Sequence, residues 1–573
     1  MHRKGEALRG RERSFVFLAL LATGPFLPLG CGGGGGGGAE GSEGDDPVIS
    51  VERPVFLYNL SGETGWFAPP VIFDLDHDGT NELIAAQYSL FVYDDSGSLI
   101  DRGEIGAGRV YAPHVVADLE GDGTIEIVVG RGHEVIVYEW VGRSLVLKNG
   151  WPADTTTGGN PPEIRGMAAG DLDGDGTIEV AVTTTQTVPT SEGGAQVFVF
   201  SHDGGLFQPA GGHTPAWPRY NALAGAGNDA DRNGQGHSGY GCYGLNIAIG
   251  SIDDEADLEV VVTYDNHHIQ AFEPDGVAID ASPWFTNRSS SFYGERLTWG
   301  QFIRWESHAI ERDHYHQHQG DWPHPSWTEW LQWTASPPNI ADIDRDGKNE
   351  VLGVPNVEMH EPYVTQAFAI MVLEGNHGDG SRSARRKPGW EELPRGGSPI
   401  QVSGWYPPQG IPAALTADLV EDERPEIVVS LNDGSMYAFS ADGSMLWSHD
   451  YTHGKSIMYS SEPLAVDLNQ DDVPEIVFTT YGDPNTSDSG HLVILDVEGG
   501  LQQDVPLPDP GFNGNGNGAP AVSVADLDGD GPLEIIVQTF DHGIDVFTVP
   551  GSSDNHLVWP TARGNLLRSG CAE

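Results

Sequence analysis

Hydrophobic positions along this chain come in short runs, each stopped by a glycine, a proline or a cluster of acids. Pro520–Ala525 and Glu534–Gln538 flank one such cluster, and both read as strands. A second kind of run closes on a turn glycine, as in Leu90–Gly97, Val197–Gly204, Ile269–Gly276 and Met436–Gly443. Similar runs end at Gly142, Gly499 and Gly551, with a looser one from Ile370 to Gly375. The one convincing helical stretch lies in the first thirty residues. Short strands and many turns predict an all-β chain, and repeats are the first thing to look for in it.

The acids supply the repeat. A nine-residue pattern runs acid, apolar, acid, any residue, acid, Gly, two more residues, Glu. Its clearest copy spans Asp171, Asp173, Asp175, Gly176, Thr177 and Glu179. Full copies also hold Asp74, Asp76, Asp78, Thr80 and Glu82; Asp118, Glu120, Asp122, Thr124 and Glu126; Asp342, Asp344, Asp346, Lys348 and Glu350; and Asp526, Asp528, Asp530, Pro532 and Glu534. The copy with Asp467, Asn469, Asp471, Val473 and Glu475 carries Asp472 in the glycine slot. Two copies are worn: Asp418 is followed by Val420 at the third position, and Ser251–Glu259 has Ala256 in place of Gly.

This spacing suits Ca²⁺, which takes six to eight oxygens from carboxylates and backbone carbonyls. Positions 1, 3 and 5 share one side of a tight loop, the carbonyl of residue 7 completes the curve, and Gly at 6 permits the turn. Thr80, Thr124, Thr177, Lys348, Val473 and Pro532 are the expected carbonyl ligands. An EF-hand is excluded because its twelfth-position Glu is replaced by Ala85, Val129, Val182 and Val537 and because strands, not helices, flank the loop. About six Ca²⁺ ions are expected. A solvated Asp-Gly turn would explain one copy but not a fixed ninth-position Glu in every copy.

Acidic loops and turn glycines each count eight units of strand, acidic loop, strand, connector, strand, turn, strand. The prediction is a β-propeller of eight four-stranded blades, residues 48–573, with Val55–Tyr58 or Trp559–Gly564 completing a blade. Seven blades, with the Ser251 or Asp418 unit displaced, is the alternative. From Asp74 onward the loops resemble those of the integrin-alpha (FG-GAP) and VCBS repeat families, and are nearer to VCBS because the Phe-Gly and Gly-Ala-Pro signatures are mostly absent. The resemblance implies a Ca²⁺-stabilised propeller, often on a cell surface, and names no ligand.

The net charge of -55 repels nucleic acid and anionic headgroups and attracts cations. The first residues are the exception. Arg3, Lys4, Arg9, Arg11 and Arg13 precede an apolar run, Phe15–Leu29, too short and too broken by Gly24, Pro25 and Pro28 to span a membrane. It ends at Leu29, Gly30 and Cys31, which resemble a bacterial lipobox, with Pro28 where that family prefers Leu. Residues 1–30 are expected to be a lipoprotein signal peptide, Cys31 the acylated residue, and 31–47 a glycine-rich tether. Such a tether reaches about 20–25 Å. An ordinary signal peptide is the rival. The chain is expected to be exported and held on a bacterial membrane, the outer membrane or the cell surface, through the lipid anchor alone.

Insertions at about 211–246, 286–338 and 375–409 are expected to follow the outermost strands and to crowd onto the face opposite the acidic loops. The middle one holds Trp299, Trp305, Trp322, Trp327, Trp330 and Trp333 with His308, His314, His316, His318 and His324. Trp299, Trp305, His314, His316, His318 and Trp322 form the candidate ligand face. A glycan or protein surface, a Zn²⁺ or Cu²⁺ site on the alternating histidines, and a structural mini-core all fit. Arg382, Arg385, Arg386 and Lys387 read as a solvated, protease-sensitive loop, with contact to an acidic ligand as the alternative, and whether Cys242 and Cys571 pair in an oxidising compartment stays open. No catalytic motif is present, so the expectation is a binding or adhesion module rather than an enzyme. The alternative is a polysaccharide lyase or hydrolase using His314, His316 and Arg304.

Overall fold

The computed structural model describes residues 50–572 apart from 64, 104–107, 157–160, 186–196, 208–243, 265–268, 286–297, 301–302, 304–307, 309–310, 312–329, 334–335, 359–366, 398–410, 421, 423, 456, 483–487, 509–517, 519–520 and 541. The signal and tether, Cys31, Cys242, Arg304, Trp305, His314, His316, His318 and Trp322 lie outside the described residues.

Blade 1 sets the pattern: Val71–Phe73, Glu82–Ala86, Leu90–Tyr93 and Leu99–Gly103 pair in that order, antiparallel throughout. Seven more sheets start from the innermost strands Val115–Ala117, Ile164–Gly170, Ile247–Gly250, Asn339–Ala341, Leu415–Ala417, Leu464–Val466 and Ser523–Ala525, giving an eight-bladed propeller. The ring is closed by Val55–Leu60, which pairs with Ile544–Val549 as the outer strand of blade 8. Both worn units keep their places, as blades 4 and 6.

Burial follows radial position. Second strands such as Glu82–Ala86 and Glu179–Thr184 are buried along their whole length, because neighbouring blades cover both faces. The outer strand Met445–Asp450 alternates between exposed and half-buried residues. Among the described residues three blades fall short of the expected four strands, while blades 2 and 7 gain extra short strands. In blades 3, 4 and 5 the outer strand shrinks to the isolated bridges Phe200↔Leu206, Phe272↔Ala278 and Leu373↔Arg386. The third insertion therefore begins at the turn after Met371–Glu374, on the acidic-loop face, and then returns along that strand through Lys387 N to Val372 O and Ile370 N to Pro394 O. It does not follow an outermost strand as expected.

The C-terminal segment has a role that the pattern of strands did not announce. Leu557–Trp559 pairs with the innermost strand of blade 7. The chain then runs past the inner strands of blades 8, 2, 3, 4 and 5, whose edges would otherwise be unpaired. Val524 N donates to Pro560 O, Val116 N to Leu566 O, Ala169 N to Leu567 O, Ile249 N to Ser569 O and Ile340 N to Gly570 O. Arg563 and Arg568 are fully buried there. Arg568 donates to His114 O, Thr561 Oγ1 and Ala562 O, and Arg563 to Asn339 Oδ1 and Pro338 O. The segment is a hub for the ring.

Candidate metal centres and the opposite face

Each acidic loop links the first strand of a blade to the second, and the ninth-position Glu anchors it. In all eight loops Oε2 of that Glu accepts a hydrogen bond from the backbone N–H of position 2, at 2.6–3.1 Å, as in Leu172 N to Glu179 and Leu527 N to Glu534. The first Asp folds the loop over itself: Asp171 Oδ1 and Oδ2 accept from the N–H groups of Asp175 and Gly176, each at 3.0 Å. Asp74, Asp118 and Asp342 do the same. The expected positive φ at position 6 is present, at Gly79, Gly123, Gly176, Gly347 and Gly531. A second left-handed residue at position 4 was not foreseen. Gly121, Gly174 and Gly529 take it without strain, whereas His77, Arg345 and Gln470 adopt it with a side chain.

The result is a set of converging carboxylates. Oxygens of Asp74, Asp76 and Asp78, of Asp171, Asp173 and Glu179, of Asp342, Asp344 and Glu350, and of Asp526, Asp528 and Glu534 lie within 4.8 Å of one another in each group. Burial dominates the ninth-position acid. It pushes Glu82 and Glu534 up to about 7 and Glu179 and Glu475 up to about 8, with the neighbouring Asp charges adding to the effect. Oxygen-only donor sets of this size suit Ca²⁺.

The eight loops are not equivalent, because two hold a lysine. Lys148 Nζ lies 2.9 Å from Glu126 Oε1 and 3.3 Å from Glu139, with Glu120 closer still at 2.5 Å. Lys387 Nζ lies 2.7 Å from Glu350 Oε1 and 2.8 Å from Asp344 Oδ2. Both lysines are almost fully buried, and both sit at the same register, their N–H groups donating to Val137 O and Val372 O. The same short sequence follows each: Lys148, Gly150, Trp151 and Lys387, Gly389, Trp390. Trp151 Nε1 and Trp390 Nε1 then donate to His202 O and Ala441 O, under the turn of the next blade. The reading of residues 382–387 as a solvated loop is thereby corrected. Arg386 is buried against Glu311, Lys387 fills the Asp342 loop, and Arg382 pairs with Glu374 at 3.1 Å. At the Asp74 loop a half-exposed Arg143 approaches Asp76 to 2.9 Å. In the Asp467 loop Asn469 Nδ2 donates to Glu475 Oε1 at 2.6 Å, and Asn555 Nδ2 donates to Asp467 at 2.5 Å.

Trp299 is corrected as well. It has no exposed surface, packs in the core of blades 4 and 5, and donates from Nε1 to Glu374 O, so it belongs to the packing and not to a ligand face. A different aromatic group occupies the face opposite the acidic loops. Trp66 and Tyr111 precede first strands, while Tyr88 and Phe540 lie in the turns after second strands. Trp66 packs against Tyr111 at 5.7 Å and Phe540 at 5.5 Å. Arg109 lies 4.5 Å over the Trp66 ring, its Nε donating to Tyr88 Oη at 2.6 Å, and Arg165 lies 3.7 Å over Tyr111. All six are half-buried. No run of sequence marks this group, because its members come from separate blades.

Residues 118–182, which hold the Asp118 and Asp171 loops, match the family model described as FG-GAP-like repeat. A search of the curated proteins finds no match to the chain. Among solved structures, it is similar to the Vibrio cholerae biofilm matrix protein Bap1, with 13% identity over 89% of this chain and 93% of that one and a TM-score of 0.37. BamB from Moraxella catarrhalis shares 11% identity over 88% and 98%, with a TM-score of 0.39. The Bacillus licheniformis rhamnogalacturonan lyase shares 14% over 91% and 80%, with a TM-score of 0.34. Likenesses this distant assign neither ligand nor activity. The chain is an eight-bladed β-propeller that carries an FG-GAP-like repeat at residues 118–182.

Proposed function

We propose that this protein is an exported, lipid-anchored binding module, its propeller stabilised by Ca²⁺ and its ligand, a glycan or a protein, held on the face opposite the acidic loops. The observation that carries the binding reading is Arg109 poised over Trp66 and bonded to Tyr88. Aromatic faces stack on sugar rings and apolar side chains, and a guanidinium beside them recognises a carboxylate. In a chain of net charge -55, an arginine and aromatic cluster is a part of the described surface suited to an acidic group.

Ca²⁺ fits the loops whose acids converge without an internal ammonium group, those at Asp74, Asp171 and Asp526, and the Asp467 loop, with the amide of Asn469 in place of one acid, is a fourth. Bound there, it would neutralise the converged acids and tie the first strand of a blade to the second. The loops at Asp118 and Asp342 have Lys148 and Lys387 in that role.

Glycan and protein arrays probed with the full chain test the binding half. Binding that disappears in Arg109→Ala and Trp66→Ala, with melting unchanged, is the expected result. Binding indifferent to both substitutions removes the site from this face. Turnover of a pectin-like polymer would establish the lyase or hydrolase reading instead.

A further inference from the structure

The worn loop of blade 4 has lost the motif yet gathers three acids. Ser251 stands at position 1 and Ala256 at the glycine slot, but oxygens of Asp253, Glu259 and Glu273 lie within 4.8 Å of one another. Glu273 is not a loop residue. The register Val260↔Phe272 continues to place it directly opposite Glu259 on the neighbouring strand. Like charges facing each other across a sheet destabilise it, so something must offset this pair.

Glu259 shows what is missing. Its Oε2 takes the usual bond from Ile252 N at 2.6 Å. In other blades Oε1 faces the loop centre and meets a partner: Lys148 at Glu126, Lys387 at Glu350, Asn469 at Glu475. In blade 4 Glu259 is fully buried and its Oε1 has no hydrogen-bond partner. Among the described residues no Lys or Arg pairs with Asp253, Glu259 or Glu273. The loop is also covered. Asn376 N donates to Ile252 O, while His377 Nδ1 and Gly378 N hold the carboxylate of Asp254 at 2.9 and 2.6 Å. Asp253 is itself buried. A buried carboxylate oxygen without a partner is strongly destabilising, and two further acids crowded against it add repulsion.

We infer that Asp253, Glu259 and Glu273 form a cation site in which Glu273, one residue past the third strand, Ile269–Phe272, replaces the missing first acid of the loop. Three carboxylates and no nitrogen or sulfur ligand select a hard cation, and Ca²⁺ suits an oxygen-only protein cage better than Mg²⁺, which dehydrates reluctantly and demands a near-octahedral shell. The inference rests on reading the intact loops as Ca²⁺ sites.

The test is a count of bound ions. Full-length protein stripped with EGTA is dialysed to equilibrium against radioactive Ca²⁺ at several concentrations, as wild type and as Glu273→Gln. The variant should bind one ion fewer at saturation. If Glu273→Gln does not fold, Asp253→Asn reads the same loss. A wild-type count above zero that neither variant changes overturns this site alone and means that the cluster holds protons. A wild type that binds no Ca²⁺ overturns the calcium reading of the intact loops along with it.

Discussion

Lys148 Nζ and Glu126 Oε1 are 2.9 Å apart inside the acidic loop of blade 2, where the repeat would otherwise direct a metal ion. Both groups are buried, and Glu120 and Glu139 complete the surroundings of the ammonium group. Replacing the lysine by methionine keeps the length of the stem and deletes the charge. Without Ca²⁺, Lys148→Met should lose about 3–5 kcal/mol, the usual cost of leaving one member of a buried pair alone. With millimolar Ca²⁺ most of that loss should return, and one more ion should bind than in the wild type. Denaturant unfolding with and without EGTA measures the first effect and equilibrium dialysis the second. A variant whose stability ignores Ca²⁺ would show that the loop needs its lysine for packing alone.

The ninth-position acids make the metal-free protein sensitive to pH. Glu179 rises from 4.5 to about 8 and Glu475 to about 8, in both cases chiefly through burial. The folded chain therefore holds these protons more tightly than the unfolded chain. That contribution is complete below about pH 4.5 and is lost as pH rises through about 8. In EGTA the melting temperature should fall across this window. Saturating Ca²⁺ should flatten the fall, since it binds the ionised form, and its uptake near pH 7 should release protons. Melting curves at pH 5, 6, 7 and 8 decide the matter; a metal-free protein equally stable at all four removes these carboxyls as the cause.

Much of the ring was legible because each blade writes its own signal. A buried strand, an acid-rich turn with a left-handed glycine and a strand that opens with Glu recur at positions the chain cannot vary freely. Glu82, Glu126, Glu179, Glu259, Glu350, Glu426 and Glu475 each begin a second strand, and in blade 8 Glu534 follows Leu533. What the repeat does not write was missed. Lys387 looked like part of a basic surface loop because its acidic partners, Asp344 and Glu350, lie about forty positions earlier. The repeated Lys, Gly, Trp spacing at 148–151 and 387–390 was the available clue. Trp66, Arg109 and Phe540 come together only when the ring closes.

The address is tested by Cys31. Cys31→Ala should remove the acyl chains and move the protein from the membrane fraction to the soluble one. Intact mass of the wild type should exceed that of the signal-cleaved chain by the acyl groups. A wild type without lipid mass is an ordinary secreted protein.

The hub makes the last residues structural. Arg568 is fully buried and holds His114 O, Thr561 Oγ1 and Ala562 O. Arg563 lies beside Glu462, whose Oε1 accepts from the Arg563 backbone N–H at 2.7 Å. Arg568→Ala strands several buried acceptors and should cost about 3–5 kcal/mol in denaturant unfolding. Removing residues 560–573 strips inner-strand partners from several blades and should cost more than any single loop substitution. A truncated chain as stable as the whole one would mean that the inner strands close the ring without the hub.

Calcium removal from the intact loops gives the broadest check. Extracellular Ca²⁺ modules bind at roughly 10⁻⁴–10⁻³ M. At about 1 mM free Ca²⁺ each site then adds roughly 0.4–1.4 kcal/mol through its preference for the folded chain. Four or five such sites supply about 2–7 kcal/mol, a sizeable share of the net stability of a domain. EGTA should therefore lower the melting temperature by many degrees, and Mg²⁺ should restore little of it, because its small octahedral shell does not fit an irregular cage. Asp173→Ala separates metal from fold: Asp173 is exposed and its oxygen belongs to the Asp171 group. With Ca²⁺ present the substitution should cost one site's share. In EGTA it should be neutral or slightly stabilising, since it removes a charge from a crowded set. The sign of that difference carries the argument. A substitution that destabilises equally in both conditions makes Asp173 a turn residue, and a melting curve indifferent to EGTA does the same for every loop.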